Sequence, residues 1–199
     1  MHVKHLLLAG LFVASAAAGA NADDRWEVGV GAEVQLNPGA PDNGSATVAL
    51  GGSVQALRAV SERTSLGVRL EVLRLFPHAE TYEYDARQHD LVFALRHGRA
   101  RPDRLTVGFD VGLGVSRYAG SVDIPVVPGC FGCGRYSGVT YRPVAQVGVD
   151  VDVPIGGGWA IRPRARATVM LIRGTSTDVH NFLPGGLGFR FDVVVVRRL

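Results

Sequence analysis

Two cysteines three positions apart have the most distinctive chemistry in this sequence. Cys130 and Cys133 are the ends of the tetrapeptide CFGC, which lies in the glycine-rich segment 128–134. A thioredoxin-type redox motif needs a βαβ context, haem attachment needs a histidine where Gly134 stands, and a zinc site needs two further ligands. The chain also begins with an export signal, described below, which directs both thiols to an oxidising compartment. We therefore predict a small disulfide within one loop.

Four histidines follow the export signal, and histidine can bind metals or act as a catalytic base. His78, His89 and His180 fall in or beside predicted loops on one side, whereas His97 lies at a strand end on the other. The three loop histidines could meet at a metal, but the simpler interpretation is that they are separate polar loop residues. We therefore predict no catalytic residue, no metal site and no cofactor.

Residues 1–22 have the three parts of a secretory signal peptide. Lys4 supplies the positive n-region, residues 6–18 form a short apolar h-region, and Ala20-Asn21-Ala22 fits the small-x-small cleavage rule. The apolar run is too short for a membrane-spanning helix, and no later stretch approaches the necessary length. We predict cleavage before Asp23, with residues 23–199 forming one exported domain.

The composition excludes several classes of protein. The 26 glycines argue against a helical bundle, because glycine is costly inside helices. With 47% apolar and 20% charged residues, the chain is not a disordered polyelectrolyte. A net charge of +3 without a basic cluster argues against a nucleic-acid partner. Lys4 is the only lysine, so the mature chain carries arginine alone as its strong base.

Apolar and polar residues alternate from Trp26 to the end of the chain, which is the period of a β-strand with two different faces. Several segments reach the roughly 9–11 residues that a tilted strand needs to cross a bilayer. The predicted strands are residues 26–36, 46–56, 66–72, 89–97, 105–116, 139–153, 159–172 and 187–196. Short and long connections alternate between them. We predict an all-β, eight-stranded antiparallel up-and-down transmembrane β-barrel with short periplasmic turns and longer outer loops.

The two faces of the strands differ in charge, which predicts the face that meets lipid. The apolar face carries no charge except Arg74, which we place at the outer rim, so this face is expected to point outward. The other face mixes glycines with eight acids and seven arginines, and we expect these charges to pair and plug a narrow lumen. The predicted lumen network is Glu27, Glu33, Arg69, Glu71, Asp90, Arg96, Asp110, Arg142, Asp150, Asp152, Arg162, Arg164, Arg166, Arg190 and Asp192. The alternative is a soluble lipocalin-like carrier, with the apolar face inside.

Three local details follow from this assignment. If the turn 154–158 pairs Val153 with Trp159, Asp150 lies opposite Arg162 on the inner face. Pro143 and Pro163 lack the N–H that a closed sheet requires, so we expect a bulge near each. The predicted interfacial aromatic girdle consists of Trp26 and Trp159 on the periplasmic side and Tyr118 and Tyr141 on the outer side.

The closing segment, residues 186–199, adds a C-terminal strand with alternating aromatic and branched residues. With the export signal, strand count and loop pattern, the chain resembles the small eight-stranded outer-membrane β-barrels of Gram-negative bacteria, such as the OmpA barrel and OmpX/Ail-like proteins. The resemblance implies an outer-membrane location and recognition of the last strand by the barrel-insertion machinery. The sequence departs from the usual ending, because Arg197 and Arg198 stand at expected apolar positions and Leu199 replaces a terminal Phe or Trp.

The resemblance leaves two classes of function open. Some barrels of this family modify lipid A, but the deacylase motif His-x-Ser is absent after His97 and after His180. We favour a monomeric, non-enzymatic barrel with a structural or surface-interaction role, in contact with outer-membrane lipid and with an unidentified ligand at its loops. The loop binding candidates are Tyr82, Tyr84, Tyr118, Arg135 and Tyr136.

Overall fold

The alternation in the sequence appears in the structure as alternating burial along every strand. The computed structural model describes residues 26–37, 47–77, 83–98, 104–124, 134–170 and 186–199. These residues form β1 (Trp26–Asn37), β2 (Thr47–Ala59), β3 (Thr64–Pro77), β4 (Glu83–His97), β5 (Thr106–Ile124), β6 (Gly134–Gly156), β7 (Trp159–Met170) and β8 (Leu187–Arg198). Within these ranges no helix is long and apolar enough to cross a membrane.

The eight strands form a closed antiparallel barrel in chain order. Each strand pairs with the next, and the β1–β8 ladder closes the sheet from Glu27↔Arg198 to Leu36↔Phe189. The backbone N–H of Leu199 donates to the carbonyl of Trp26 at 2.9 Å, which extends this closure by one hydrogen bond. Closure removes the free edges that an open sheet would expose. The predicted eight-stranded up-and-down fold is confirmed.

The barrel is apolar outside and charged inside. Its outward side chains form a belt of exposed Val, Leu and Phe, among them Phe93 at 64%, Val111 at 48% and Val195 at 44% exposure. The inward side chains include arginines and carboxylates that are almost completely buried. This arrangement excludes the soluble carrier considered above, because water would then contact the largest apolar surface of the protein. It suits a barrel whose wall meets lipid.

The β5–β6 hairpin is longer than the sequence predicted. β5 has 19 residues and β6 has 23, whereas the alternating patterns ended at residue 116 and began at residue 139. Their pairing continues without a shift from Val115↔Pro143 to Ile124↔Gly134. We call residues 115–124 and 134–143 the outer ribbon. It corresponds to about 30 Å of chain in each direction, and much of the predicted loop 117–138 is therefore paired strand.

Tyr118 was wrongly predicted as an outer aromatic anchor and as a loop binding residue. It is 1% exposed and points into the barrel, where it packs with Leu73, Leu75, Ala49 and Ala86. The reason is that β5 continues through residue 118 with unchanged alternation, so Tyr118 shares the inward parity of the residues below it. Trp159 and Tyr141 are 40% and 66% exposed, as expected for residues of an interfacial girdle.

Arg74 lies where the sequence placed it, and the alternation of β3 continues unbroken through it. Its side chain is 61% exposed near the outer end of β3, and the guanidinium lies over the ring of Phe76 at 5.6 Å. Leu73 and Leu75 point inward and are almost fully buried. β3 therefore keeps its period of two, and its last inward residues are leucines instead of charged residues.

The predicted register between β6 and β7 was also wrong. Asp150 pairs with Arg164, not with Arg162, and Val153 pairs with Ile161, not with Trp159. The strands continue as far as Gly156↔Trp159, with a register shift between Pro154 and Gly156, so the turn is tighter than the predicted one. Gly156, Gly157 and Gly158 make this turn possible at φ of +92°, +59° and +79°, values that only glycine adopts readily.

The bulges expected at the two prolines do not form. The β5–β6 register is continuous through Pro143, and pairing of β6 with β7 begins only at Val144. At Pro163 the register is the same on both sides, but the ladder is interrupted between Asp150↔Arg164 and Val153↔Ile161. The lack of an N–H at proline therefore interrupts the hydrogen-bond ladder, but no extra residue is inserted as in a bulge.

The lipid-facing belt can be tested with one charge at two depths. Val111→Arg lies midway along the belt, and we expect it to lower the free energy of unfolding by about 2–4 kcal/mol. Val60→Arg in the β2–β3 turn is the matched control, and it should cost at most about 1 kcal/mol. Guanidinium titration in phospholipid vesicles, followed by tryptophan fluorescence, measures both changes. Equal losses would contradict the position of the belt.

Candidate functional site

All fifteen residues of the predicted lumen network lie inside the barrel, with exposures of 7% or less. They come from β1 and β3 to β8, and the strand period directs each of them inward. Burial of this many charges would be strongly destabilising unless each met an opposite charge or a hydrogen-bond partner. The contacts among them therefore decide what the lumen is.

The lower cluster lies nearest the short turns and contains Glu27, Arg96, Asp150, Asp152 and Arg162. Arg96 donates from Nε to Asp150 at 2.9 Å and from Nη2 to Asp152 at 2.7 Å. Arg162 donates from Nε to Asp152 at 2.7 Å and from Nη2 to Glu27 at 2.8 Å. Each guanidinium thus bridges two carboxylates across the barrel. A fork of this kind fixes both the distance and the orientation of its partners.

The central cluster is organised around one carboxylate. Glu71 accepts hydrogen bonds from Arg166 Nη1 and Arg190 Nη1, and its Oε1 lies 2.7 Å from Arg69 Nε. Gln146 Nε2 donates to the same carboxylate at 2.9 Å. Three arginines and one amide therefore converge on Glu71, which is 1% exposed.

Further carboxylates complete the charge compensation around this centre. Asp110 accepts from Arg69 at 2.9 Å, and Asp90 accepts from Arg190 at 2.5 Å. Asp192 accepts from Arg164 Nε at 2.9 Å and from Arg166 Nη2 at 2.8 Å. The arginines are thereby shared between strands that are far apart in the sequence.

Three glutamines belong to the network but were absent from the predicted set. Gln146 accepts from Arg69 at 2.7 Å, Gln55 accepts from Arg164 at 2.9 Å, and Gln88 donates to Asp90 at 2.9 Å. Their inward parity could have identified them, because it is the same parity that selected the charges. Sequence reasoning missed them because it counted only ionised groups.

Two residues of the predicted lumen network, Glu33 and Arg142, make fewer polar contacts than the others. Glu33 accepts no hydrogen bond from a described residue, although Arg166 and Arg190 lie 3.4 Å away. Arg142 contacts no carboxylate in the described ranges; its guanidinium lies over the ring of Tyr118 at 5.9 Å, and Nη1 is 4.0 Å from the sulfur of Met170. Within the described ranges, Arg142 therefore lies beside Tyr118 and outside the ion-pair network.

Inward glycines provide the space that the long side chains occupy. A Cβ at Gly108 would lie 2.5 Å from Asp150 Oδ1 and 2.6 Å from Arg96 Nη2. At Gly148 it would lie 2.4 Å from Cγ of Arg166. These distances are far below a normal carbon contact, and the neighbouring ion pairs hold the side chains in place. Glycine is therefore required here by space.

The outer candidates are only partly described. Tyr82, Cys130 and Cys133 lie outside the described residues, as does the signal peptide, so the disulfide and the cleavage site stay predictions. Tyr84 and Tyr136 lie on β4 and β6, but their side chains are not described. Arg135 is exposed near the tip of the outer ribbon.

The described histidines do not meet. His89 Nδ1 lies 3.3 Å from Arg117 Nη1, and His97 Nδ1 lies 3.2 Å from the hydroxyl of Thr64. His78 and His180 lie outside the described ranges. Within those ranges, no group of three or more metal-ligating side chains occurs.

Comparison with known proteins identifies the fold. No family model matches the chain, and no curated protein matches it. Among solved structures, Neisserial surface protein A has 12% identity and a TM-score of 0.56, over 87% of this chain and 97% of that one. Ail of Yersinia pestis has 9% identity and a TM-score of 0.55, over 88% and 99%. A major outer membrane protein from Thermus thermophilus has 10% identity and a TM-score of 0.59, over 87% and 99%.

The chain has the fold of the small outer-membrane β-barrels. Identities of 9–12% show a shared fold and nothing finer. The charge-free outer belt supplies the physical part of the assignment, because an apolar band around the wall is what a lipid-facing barrel presents. The fold and the apolar belt together support an outer-membrane location.

The role of Glu71 can be tested with an isosteric change. Glu71→Gln removes the charge on which three arginines converge, and we expect the free energy of unfolding to fall by about 3–5 kcal/mol. Glu62→Gln in the exposed β2–β3 turn is the matched control and should stay within about 0.5 kcal/mol of the wild type. Denaturant titration in vesicles measures both. A loss at Glu71 no larger than at Glu62 would contradict its central position.

Proposed function

We propose that this protein is a closed, non-enzymatic outer-membrane barrel that holds its outer ribbon and loops at the cell surface, in a structural or surface-interaction role. The observation that carries the proposal is the network described above. Arginine and carboxylate side chains from opposite walls meet in the middle of the lumen, which leaves their charges engaged with one another. A lumen filled in this way supports a closed barrel better than an aqueous pore.

The outer end supports the surface role. On its β6 side the outer ribbon extends beyond the pairing with β7, whereas on its β5 side it stays paired with β4 as far as Glu83↔Asp123. Its tip is therefore an extension of the barrel wall toward the outer loops. Loops and extensions on a rigid scaffold are common places for binding. Ail has been solved in complex with the heparin analogue sucrose octasulfate, so a barrel of this fold is compatible with a bound ligand. The ligand and the monomeric state remain proposals for this chain.

The alternative is a lipid A-modifying enzyme. Acyl hydrolysis of this kind needs a nucleophile, a base and an acid in mutual contact. In the described part of the chain, His89 contacts an arginine and His97 contacts a threonine, and neither contacts a serine and a carboxylate together. The inward carboxylates are engaged with arginines. We therefore favour the non-enzymatic role.

Ion flux tests the closed lumen. We expect vesicles containing the wild-type barrel to lose potassium no faster than protein-free vesicles. The double variant Arg69→Ala/Asp110→Ala removes an ion pair from the lumen without changing the net charge, and it should increase the flux several-fold. Arg87→Ala/Asp85→Ala removes a charge pair from the outer surface, and it serves as the matched control with no expected effect. Rapid flux through the wild type would contradict a closed barrel.

Shortening the outer ribbon tests whether it serves the barrel or the surface. Replacing residues 122–136 by Asn-Gly joins Ser121 to Ser137, which are paired in the structure, through a two-residue hairpin turn. We expect the free energy of unfolding to stay within about 1 kcal/mol of the wild type, as for changes away from packed cores. Heat-modified gel mobility and denaturant titration measure folding. A variant that fails to fold would show that the ribbon is part of the barrel's own stability.

A further inference from the structure

Three arginines and a histidine lie on the outward face of β3, β4 and β5, directly above the apolar belt. We call Arg74, Arg87, His89 and Arg117 the outer cationic patch. On β4 the belt ends at Leu91, and His89 and Arg87 follow on the same face at two-residue steps, or roughly 7 Å each. The patch therefore continues the surface that meets lipid.

An independent marker gives the depth of this patch. Arg117 pairs in register with His89 on one side and with Tyr141 on the other. Tyr141 is 66% exposed on the lipid-facing wall, and exposed tyrosines mark the boundary between hydrocarbon and headgroups. The row of His89, Arg117 and Tyr141 consequently lies at headgroup depth, where lipid phosphates are found.

Among the described outward side chains, one carboxylate, that of Asp85, lies close to the patch. Arg74 and Arg87 are directly opposite each other in the β3–β4 ladder, a like-charge arrangement that is destabilising by itself. Both approach Asp85, but only at 3.7 and 3.8 Å, so one carboxylate serves two arginines. The polar contact that Arg117 makes in the described structure is with His89, which is not an acid.

Within the described ranges, the patch occupies one side of the barrel. At the outer ends of β1, β2, β7 and β8, the corresponding outward residues are Leu36, Val48, Val169 and Leu187, which are apolar and exposed. A general anchoring function would call for charges around the whole rim. A local excess of arginine instead indicates a local anion, and the forked guanidinium is suited to phosphate oxygens.

We propose that the outer cationic patch binds the phosphate groups of an outer-leaflet glycolipid whose acyl chains lie against the apolar belt below it. Arg87 and Arg117 would donate to phosphate oxygens, while Arg74 supplies a further positive charge at the edge. The phosphate relieves the repulsion between the opposed arginines. The inference depends on the lipid-facing wall and uses the base of the outer ribbon, where Arg117 lies, and not its tip.

The test uses the full barrel in phosphatidylcholine nanodiscs doped with bis-phosphorylated lipid A or with its dephosphorylated form. Native mass spectrometry of the released protein counts the retained glycolipid. We expect the wild type to retain the phosphorylated form preferentially. Arg87→Gln/Arg117→Gln should reduce that retention by roughly 30-fold, since each arginine near an anionic surface contributes about 1 kcal/mol. Arg197→Gln at the periplasmic rim is the matched control and should retain as much as the wild type.

Each other outcome overturns the proposal. Equal retention of both lipid forms would show that phosphate is not recognised, and an equal loss in Arg197→Gln would show general surface charge. Displacement by millimolar inorganic phosphate or by a soluble sulfated sugar would point to a soluble anion instead of a lipid. Gel mobility verifies that each variant is folded. Should Arg117→Gln impair folding, Arg74→Gln/Arg87→Gln changes two exposed residues and tests the same claim.

Discussion

The convergence of three arginines on Glu71 shows the constraint on which the rest of the structure depends. Eight strands close into a barrel whose interior is only wide enough for side chains, so whatever points inward is removed from water. Charges in that position must find opposite charges, and here they find them on strands distant in sequence. Glycines such as Gly108 and Gly148 leave the space for the arginines. The strands, their register and their inner composition are thus mutually dependent.

The ion pairs contribute more to uniqueness than to net stability. Removing charges from water costs about as much as pairing returns, so a paired network can be nearly neutral overall. Breaking it is costly, because one charge is then left without a partner. A slip of one residue along any strand would turn the network toward lipid and the apolar belt toward the lumen. We infer that the network holds the register of a barrel whose outer wall contains few specific contacts.

The proposed function makes the outer surface the place where this barrel meets other molecules. The outer ribbon extends the wall toward the outer loops, and the proposed outer cationic patch lies at its base. The two surfaces share Arg117, where the ribbon begins to rise above the apolar belt. Both are positioned by the same rigid wall. In this view the lumen network stabilises the barrel, and the outer wall contacts lipid and other molecules.

The sequence by itself determined the strand period, the apolar outer face and the charged residues of the lumen, because alternation is a local property of each strand. It did not determine which lumen residues contact one another. Asp150 binds Arg96 and stands opposite Arg164 instead of Arg162, since the β6–β7 turn is tighter than its sequence suggested. Tyr118 joins the lumen because β5 runs on past its alternating pattern. Contacts such as Arg190 with Glu71 and Asp90 join strands that are not neighbours, and only closure of the sheet brings them together.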